Sequence, residues 1–535
     1  MRFNSRRSPV YGTRGVVASS QPLASEAGMR ILQGGGNAAD AAVATAATLN
    51  VTEPTSTGIG GDCFCLFFDS SKKCVKGING SGRAPIDLTL EKLEEEGISG
   101  EMPPFSIHTV TVPGAAAGWV DTLKRFGTMD LGEVLAPAIE LAEEGFPVSP
   151  ITARSWRRGA DRLRSGPHGE EMLIDGKAPG PGELMRNPKL ARTFRELAEH
   201  GKEGFYQGRI AEAIVDLLQA RGSYMCLEDL EKHHSTFPDP ISTSYRGVDI
   251  YEIPPNGQGI TALIALNILE GFDIESMGHL SKEYLHHLIE VMRLAFADSR
   301  WYVADPEVVH VPIEGLISKE YAERRRKLLD PERASVDAER GSPVAGSDTV
   351  YFCVVDGEGN ACSFINSNYM GFGTGLIPEG CGFTLQNRGA NFSLDPEHPN
   401  RLEPGKRPYH TIIPGMAVMD NELYGPFGVM GGFMQPQGHV QVITKLVDFK
   451  MNPQEALDSP RFCIVDGTSG GKVALEEGIP VETMSSLAMM GHEVIPTSGN
   501  ARGRFGRGQI IHRNPDTGVL TAGSDPRADG MAIGW

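Results

Sequence analysis

The amino-acid sequence predicts an α/β protein, on three observations. The first part of the chain, about 350 residues, carries helical stripes ended by glycine; the last part, about 185, alternates short apolar runs with turns. Between them lies ERGSPVAGSD, a small, polar, Pro/Gly-rich stretch ending at Asp348 that reads as an exposed loop. Taken in order, Leu23, Ala27, Arg30 and Ile31 sit at helical spacing, and Gly34 to Gly36 end that helix. Asn37 is placed to cap a second helix, AADAAVATAATLN, whose small side chains allow close packing. STGIGGD, Ser56 to Asp62, is a glycine loop that leads into the apolar run Cys63 to Phe68, a buried strand. Leu131, Val134, Leu135, Ala138, Ile139 and Ala142 share one face of a helix that stops at Gly145. Leu285, Leu288, Ile289, Met292 and Phe296 form the stripe of a long helix. After Asp348, two β-rich runs flank Asp356-Gly357-Glu358-Gly359-Asn360, a hairpin signal, and a further helix is expected over Pro436 to Val447.

Composition excludes several function classes. Hydrophobic residues make up 40% and charged residues 22%, enough for a large core in a soluble protein. The formal charge of −18 opposes non-specific nucleic-acid binding and docking to an anionic membrane. The opening MRFNSRRSPVYGTRG has no apolar stretch behind its basic residues, so no secretory signal and no membrane span are expected, and the eight scattered cysteines fit a reducing, cytoplasmic setting. His286 and His287 point to different faces of their helix, and no metal-ligand spacing occurs among the 14 histidines, so no metal is expected. GIGGD, GFGTG and GRFGRG fit neither a phosphate loop nor a dinucleotide fingerprint, and no GxSxG elbow is present. No cofactor is expected.

One position carries a specific chemistry. Thr349 stands at the seam between the loop and the first strand of the hairpin. Scission before it would leave its hydroxyl as a nucleophile and its own freed α-amine, of ordinary pKa about 7.7–8.0, as the base. An ordinary β-branched strand residue is the bland reading of the same position.

The whole chain resembles the γ-glutamyltransferase family of N-terminal nucleophile (Ntn) hydrolases. The resemblance rests on VVASSQPLASEAGMRILQGGGNAADAAVATAATLNVTEPTSTGIGGDCF, GSGRAPIDL, PISTSYRGVDIYEIPPNGQG, FADSRWYVADP, VPIEGLISKEYAERRRKLLD, SDTVYFCVVDGEGNA, GFGTGL, GKRPYH, VMGGFMQPQ and SDPRADGMA, in family order. It implies a four-layer αββα sandwich built jointly by two fragments, 1–348 and 349–535, made by self-cleavage between Asp348 and Thr349. Turnover would run through an acyl-enzyme on Thr349. Ser367 falls where the family has a threonine that supports the nucleophile, and Gly431 and Gly432 match a glycine pair whose amides face the oxyanion. Arg83 matches the arginine that holds the substrate carboxylate, a task suited to a two-pronged guanidinium. The expected partners are a small anionic amide and the sister fragment, with a homodimer of processed heterodimers as the larger assembly.

The substrate positions depart from the family pattern. Asn391 stands at the family's aspartate, Arg388 at its Gln/Glu, Tyr369 at its asparagine, and His410-Thr411 at its Ser-Ser pair. An ammonium placed beside neutral Asn391 and cationic Arg388 loses an anionic partner and gains a repulsion, worth about 3–5 kcal/mol when desolvated. The substitutions point to an acyl group that is anionic and lacks an α-amine, such as oxamate or another dicarboxylic monoamide, as in the oxamate-amidohydrolase-like branch of the superfamily. Two alternatives stay open: a γ-glutamyl hydrolase or transpeptidase acting on glutathione, and a non-processing relic that only binds. The short segment between Phe392 and Arg407 further predicts that hydrolysis dominates transfer.

Overall fold

The computed structural model describes residues 7–335 and 349–535. The loop ending at Asp348 therefore lies outside the described residues, while Thr349 lies within them. The strands that matter are β1 (Val10–Gly12), β2 (Gly15–Ser19), β3 (Asp62–Asp69), β4 (Cys74–Gly80), β5 (Ile241–Tyr245), β6 (Val248–Glu252), β7 (Val350–Asp356), β8 (Ala361–Ser367), β9 (Gly415–Met419), β10 (Glu422–Met430), β11 (Arg507–Arg513), β12 (Leu520–Ser524) and β13 (Met531–Gly534). They form a six-stranded sheet in the order β13-β2-β7-β8-β3-β4 and a seven-stranded sheet in the order β1-β12-β11-β10-β9-β6-β5.

Strand alternation sorts the side chains into layers. In β7 and β8, Tyr351, Cys353, Val355 and Ile365 face the other sheet and pack with Met416, Val418 and Ile511. Their neighbours Val350, Phe352, Val354 and Phe364 face outward and join the core formed with α1 (Pro22–Gln33), α2 (Ala38–Thr52), α3 (Ala115–Phe126) and α4 (Leu131–Glu144). The seven-stranded sheet is covered on its outer side by α5 (Gly259–Leu269), α6 (Lys282–Tyr302) and α7 (Met434–Val447), through Ile250, Phe427 and Val429. The result is the αββα sandwich that the resemblance implied.

The local readings of the elements agree with this. Asn37 caps α2: its side chain accepts the Ala39 and Asp40 N–H groups, and Asp40 returns a bond to the Asn37 N–H. The hairpin closes where expected, with Val355 opposite Ala361. Each sheet takes strands from both sides of the 348/349 boundary. Gly15–Ala18 pair with Cys353–Asp356, and Cys63–Phe68 pair with Ala361–Asn366 of β8. No helix among the described residues is long and apolar enough to cross a membrane.

Candidate active site

The register of three strands builds the centre of the site. Val350 lies opposite Asn366, so the next rung sets Thr349 opposite Ser367, and the two hydroxyl oxygens are 3.0 Å apart. On its other side Ser367 pairs with Asp62. Thr349, Ser367 and Asp62 thus form a row across β7, β8 and β3, on the face that carries Tyr351, Ile365 and Phe64 between the sheets. All three are fully buried. The Ser367 oxygen also accepts the Tyr369 N–H at 2.8 Å, which fixes the hydroxyl beside the threonine.

The glycine pair comes from the facing sheet. Gly428 of β10 lies against the ring of Tyr351, and Gly431 and Gly432 follow at the end of that strand with φ of +134° and +58°. These angles favour glycine and let both amides turn out of the ladder. The carbonyl of Gly431 accepts the Met434 N–H at 3.0 Å and that of Gly432 accepts the Gln435 N–H at 3.1 Å, so both are held in the first turn of α7. Among the described residues neither glycine N–H has a protein acceptor. Two fixed donors of this kind suit a developing oxyanion.

Arg388 is packed among Asp62, Thr411 and Tyr369. It is fully buried, its Nη1 donates to Thr411 Oγ1 at 2.7 Å, and its guanidinium carbon lies 4.5 Å from the centre of the Tyr369 ring. The carboxylate of Asp62 is 3.9 Å from its Nε, outside hydrogen-bond range, and neither Nε nor Nη2 has an acceptor among the described residues. Burial pushes this guanidinium down to about 10, against the pull of Asp62. The Tyr369 hydroxyl donates to Asn391 Oδ1 at 2.8 Å, and Asn391 Nδ2 is also without an acceptor. A cavity of about 390 Å³ opens beside these residues, lined by Tyr369, Asn391, Tyr409, Phe433, Arg300 and Trp301. The short segment after Phe392 supplies one wall through Ser393, Leu394 and His398.

The other expected residues stand further out. His410 is buried between Asp62, whose Oδ2 is 3.2 Å from its Nε2, and the Phe64 ring at 4.8 Å. Burial first and Arg388 second push it down to about 4, so at neutral pH the ring is uncharged and donates to Asp62. Arg83 pairs with Glu307 at 2.8 Å, which also pairs with Arg407 at 2.9 Å. Its neighbour Gly82 donates to Asp62 Oδ1 at 2.8 Å, which ties the arginine loop to the row of Thr349, Ser367 and Asp62.

Sequence reasoning passed over Asp62, Gln258 and Arg300. Asp62 ends the GIGGD loop, where the eye reads a turn. Gln258 donates to the carbonyls of both Thr411 (2.6 Å) and Gly432 (2.9 Å), linking the partner of Arg388 to the glycine pair. Its signal was its place in PPNGQG, a block in family order without a side-chain role attached.

Comparison with known proteins agrees with this geometry. The family model described as gamma-glutamyltranspeptidase matches residues 24–535. The glutathione hydrolase-like YwrD proenzyme of Bacillus subtilis (strain 168) is 40% identical, over 98% of this chain and 99% of the relative. The oxamate amidohydrolase proenzyme of Klebsiella pneumoniae is 33% identical, over 98% and 99%. The crystal structure of a cephalosporin acylase from Bacillus halodurans superposes with a TM-score of 0.93 at 46% identity, covering 100% of this chain and 98% of that one. With a threonine at the head of β7, a hydroxyl beside it and a glycine pair at the end of a strand in the facing sheet, the chain belongs to the gamma-glutamyltranspeptidase family and is an enzyme of the Ntn-hydrolase type.

Proposed function

We propose that the protein cleaves itself between Asp348 and Thr349 and then hydrolyses a small amide whose acyl part is anionic and has no α-amine. The observation that carries this reading is Arg388: a fully buried guanidinium with unused N–H groups, stacked on the Tyr369 ring that lines the cavity, and among the described residues no carboxylate within hydrogen-bond range. Such a group recognises a carboxylate and repels an ammonium. Asp62, the nearby carboxylate, is held by the Gly82 N–H and the His410 N–H.

In the proposed cycle the α-amine of Thr349 takes the hydroxyl proton as Oγ1 attacks the amide carbon. The oxygen of the tetrahedral intermediate is held by the Gly431 and Gly432 amides, and Ser367 bonds to the attacking oxygen. The amine leaves with the proton. Water then repeats the attack on the ester and frees the acid and Thr349. In the self-cleavage the Thr349 hydroxyl attacks the carbonyl of residue 348, the C–N bond to Thr349 breaks as the hydroxyl proton passes to the departing nitrogen, and water resolves the ester; the α-amine that serves as base in turnover is freed by this step.

The test compares two amides that differ only in the α-ammonium, glutaryl-p-nitroanilide and γ-glutamyl-p-nitroanilide, with oxamate as a third substrate. A higher kcat/KM for a des-amino amide is expected. A higher value for the γ-glutamyl compound than for every des-amino amide sinks the substrate assignment. Intact mass tests the first step separately: two fragments dividing at 348/349 are expected, and Thr349→Ala should stay a single 57.6 kDa chain without activity. A single wild-type chain, stable over days, overturns the cleavage and every catalytic role given above.

A further inference from the structure

Arg300 stands in the last turn of α6 and lines the cavity together with Tyr369, Tyr409 and Phe433. Its guanidinium carbon lies 4.4 Å from the centre of the Phe433 ring and 5.5 Å from that of Tyr409. Phe433 directly follows the Gly431-Gly432 pair, so this cation rests against the residue next to the proposed oxyanion donors. Among the described residues no carboxylate forms an ion pair with it; Asp298, two positions earlier on the helix, is taken by Arg325 at 3.1 Å.

A guanidinium laid on a ring uses its face there and keeps its edge for hydrogen bonds. A guanidinium carries five N–H groups on that edge, and the Tyr409 oxygen, whose own proton goes to Gln258 Oε1 at 3.0 Å, serves only part of them. The rest of the edge stays open to the cavity, because the side chain is half-buried and not sealed into the core. Such an edge matches a carboxylate through two parallel charge-assisted bonds. The rings of Trp301, Tyr409 and Phe433 around it suit a flat or apolar body that carries the charge.

The depth of Arg300 decides which part of a substrate it meets. Thr349 and Arg388 are fully buried, whereas Arg300 is half-buried and its neighbour Trp301 is 37% exposed. The acyl group stays on Thr349 while the amine departs, so the amine lies on the open side of the cavity. The volume agrees: about 390 Å³ falls in the range that holds a drug-sized ligand and exceeds what a short dicarboxylic monoamide fills. Glu101 and Asp395 also line the cavity and oppose an anion, but both are exposed, where water and salt screen them.

We propose that Arg300 is a specificity-determining residue that holds a carboxylate carried by the leaving amine, so that the preferred amides are anionic at both ends. Arg388 takes the acyl carboxylate and Arg300 that of the amine. The inference rests on the amide reading given above and adds the amine part to it. Hydrolysis of such an amide consumes one water and releases a dicarboxylic acid and an amino acid.

Two measurements on the full-length protein test this. Calorimetry compares p-acetamidobenzoate with acetanilide, two amides with the same uncharged acyl group that differ only in the carboxylate on the amine. The wild type should bind the carboxylate compound about ten- to a hundredfold more tightly. Arg300→Met, which keeps a side chain of similar length over the Phe433 ring, should erase that preference, and Arg388→Met should keep it. Arg300→Gln takes its place if the methionine variant does not fold. Kinetics then compares p-(glutarylamino)benzoate with glutaryl anilide: kcat/KM should be about tenfold or more higher for the benzoate in the wild type, through KM, and equal in Arg300→Met. Equal binding of the two acetamides by the wild type, no binding of either, or a preference that survives loss of Arg300 overturns the proposal. Equal kcat/KM for the two glutaryl amides also overturns it, and leaves the amide reading standing. If neither glutaryl amide is turned over while the binding preference is present, the amide reading falls and Arg300 keeps its carboxylate.

Discussion

Replacing Arg388 with methionine separates recognition from stability. In the folded protein the guanidinium keeps one hydrogen bond, to Thr411, and a ring face, that of Tyr369. Its pKa falls from 12.5 to about 10 on burial, which corresponds to a cost of about 3 kcal/mol for holding the charge there. A methionine of similar length removes that cost along with the bond, so Tm should be unchanged or higher. Activity should move the other way. A substrate carboxylate that loses a desolvated partner loses about 3–5 kcal/mol, or roughly two to four orders of magnitude in kcat/KM. The assay is glutaryl-p-nitroanilide hydrolysis, with butyryl-p-nitroanilide as an uncharged control of the same reaction. The charged substrate should fall by that factor and the control should change little. A fall of equal size for both, or an Arg388→Met enzyme that keeps glutaryl activity within about fivefold, would show that the arginine supports structure and not the acyl group.

The remaining predictions follow from the same contacts. Ser367→Ala removes the hydroxyl at 3.0 Å from Thr349 Oγ1, so kcat should fall about a hundredfold with KM little changed, and Ser367→Thr should restore most of it. Gln258→Leu frees the carbonyls of Thr411 and Gly432, and should lower kcat by ten- to a hundredfold through a displaced glycine pair, measured on the uncharged control as well. Adding glycylglycine should give no rate gain, whereas a clear acceleration would show transfer. For pH, His410 has a folded pKa of about 4 against 6.5 unfolded, so the unfolded chain binds more protons in between. Its stabilising contribution is complete above about pH 6.5 and is lost as pH falls towards 4, about 2 kcal/mol by pH 5. Urea unfolding at pH 7 and pH 5 should show that loss in the wild type and a smaller one in His410→Asn.

What could be read from the sequence was local. The Asn37 cap, the stop at Gly145 and the hairpin around Gly357 depend on neighbours within a few residues, and each stands where periodicity and turn chemistry put it. Thr349 could be singled out as a hydroxyl at that seam, but it was the resemblance of the whole chain, not the local residues, that gave it a role. The division into a helix-rich first part and a β-rich second part captured texture and missed the pairing, since β1 and β2 are completed by strands more than 300 residues away. Asp62 shows the limit well. Nothing within GIGGD places its carboxylate beside Thr349 and Ser367; the Ser367 register and the approach of His410 and Arg388 do, and those are products of the fold. The substitutions at Arg388 and Asn391 could be named from sequence, but their meaning rested on whether a carboxylate stood close by, which only coordinates can tell.

The interleaved sheets bear on how the protein can be made and unmade. With β2 held between β13 and β7, and β3 held between β8 and β4, a cut chain has no seam along which its halves could part. Separation would bare several strand edges at once and would amount to unfolding. A cut protein that has lost its shape must find its other half by collision, so its recovery should depend on concentration where that of the uncut chain does not. Cleavage, once made, would turn a fold reached by one molecule alone into one that two must reassemble: the finished enzyme would be durable but hard to renew.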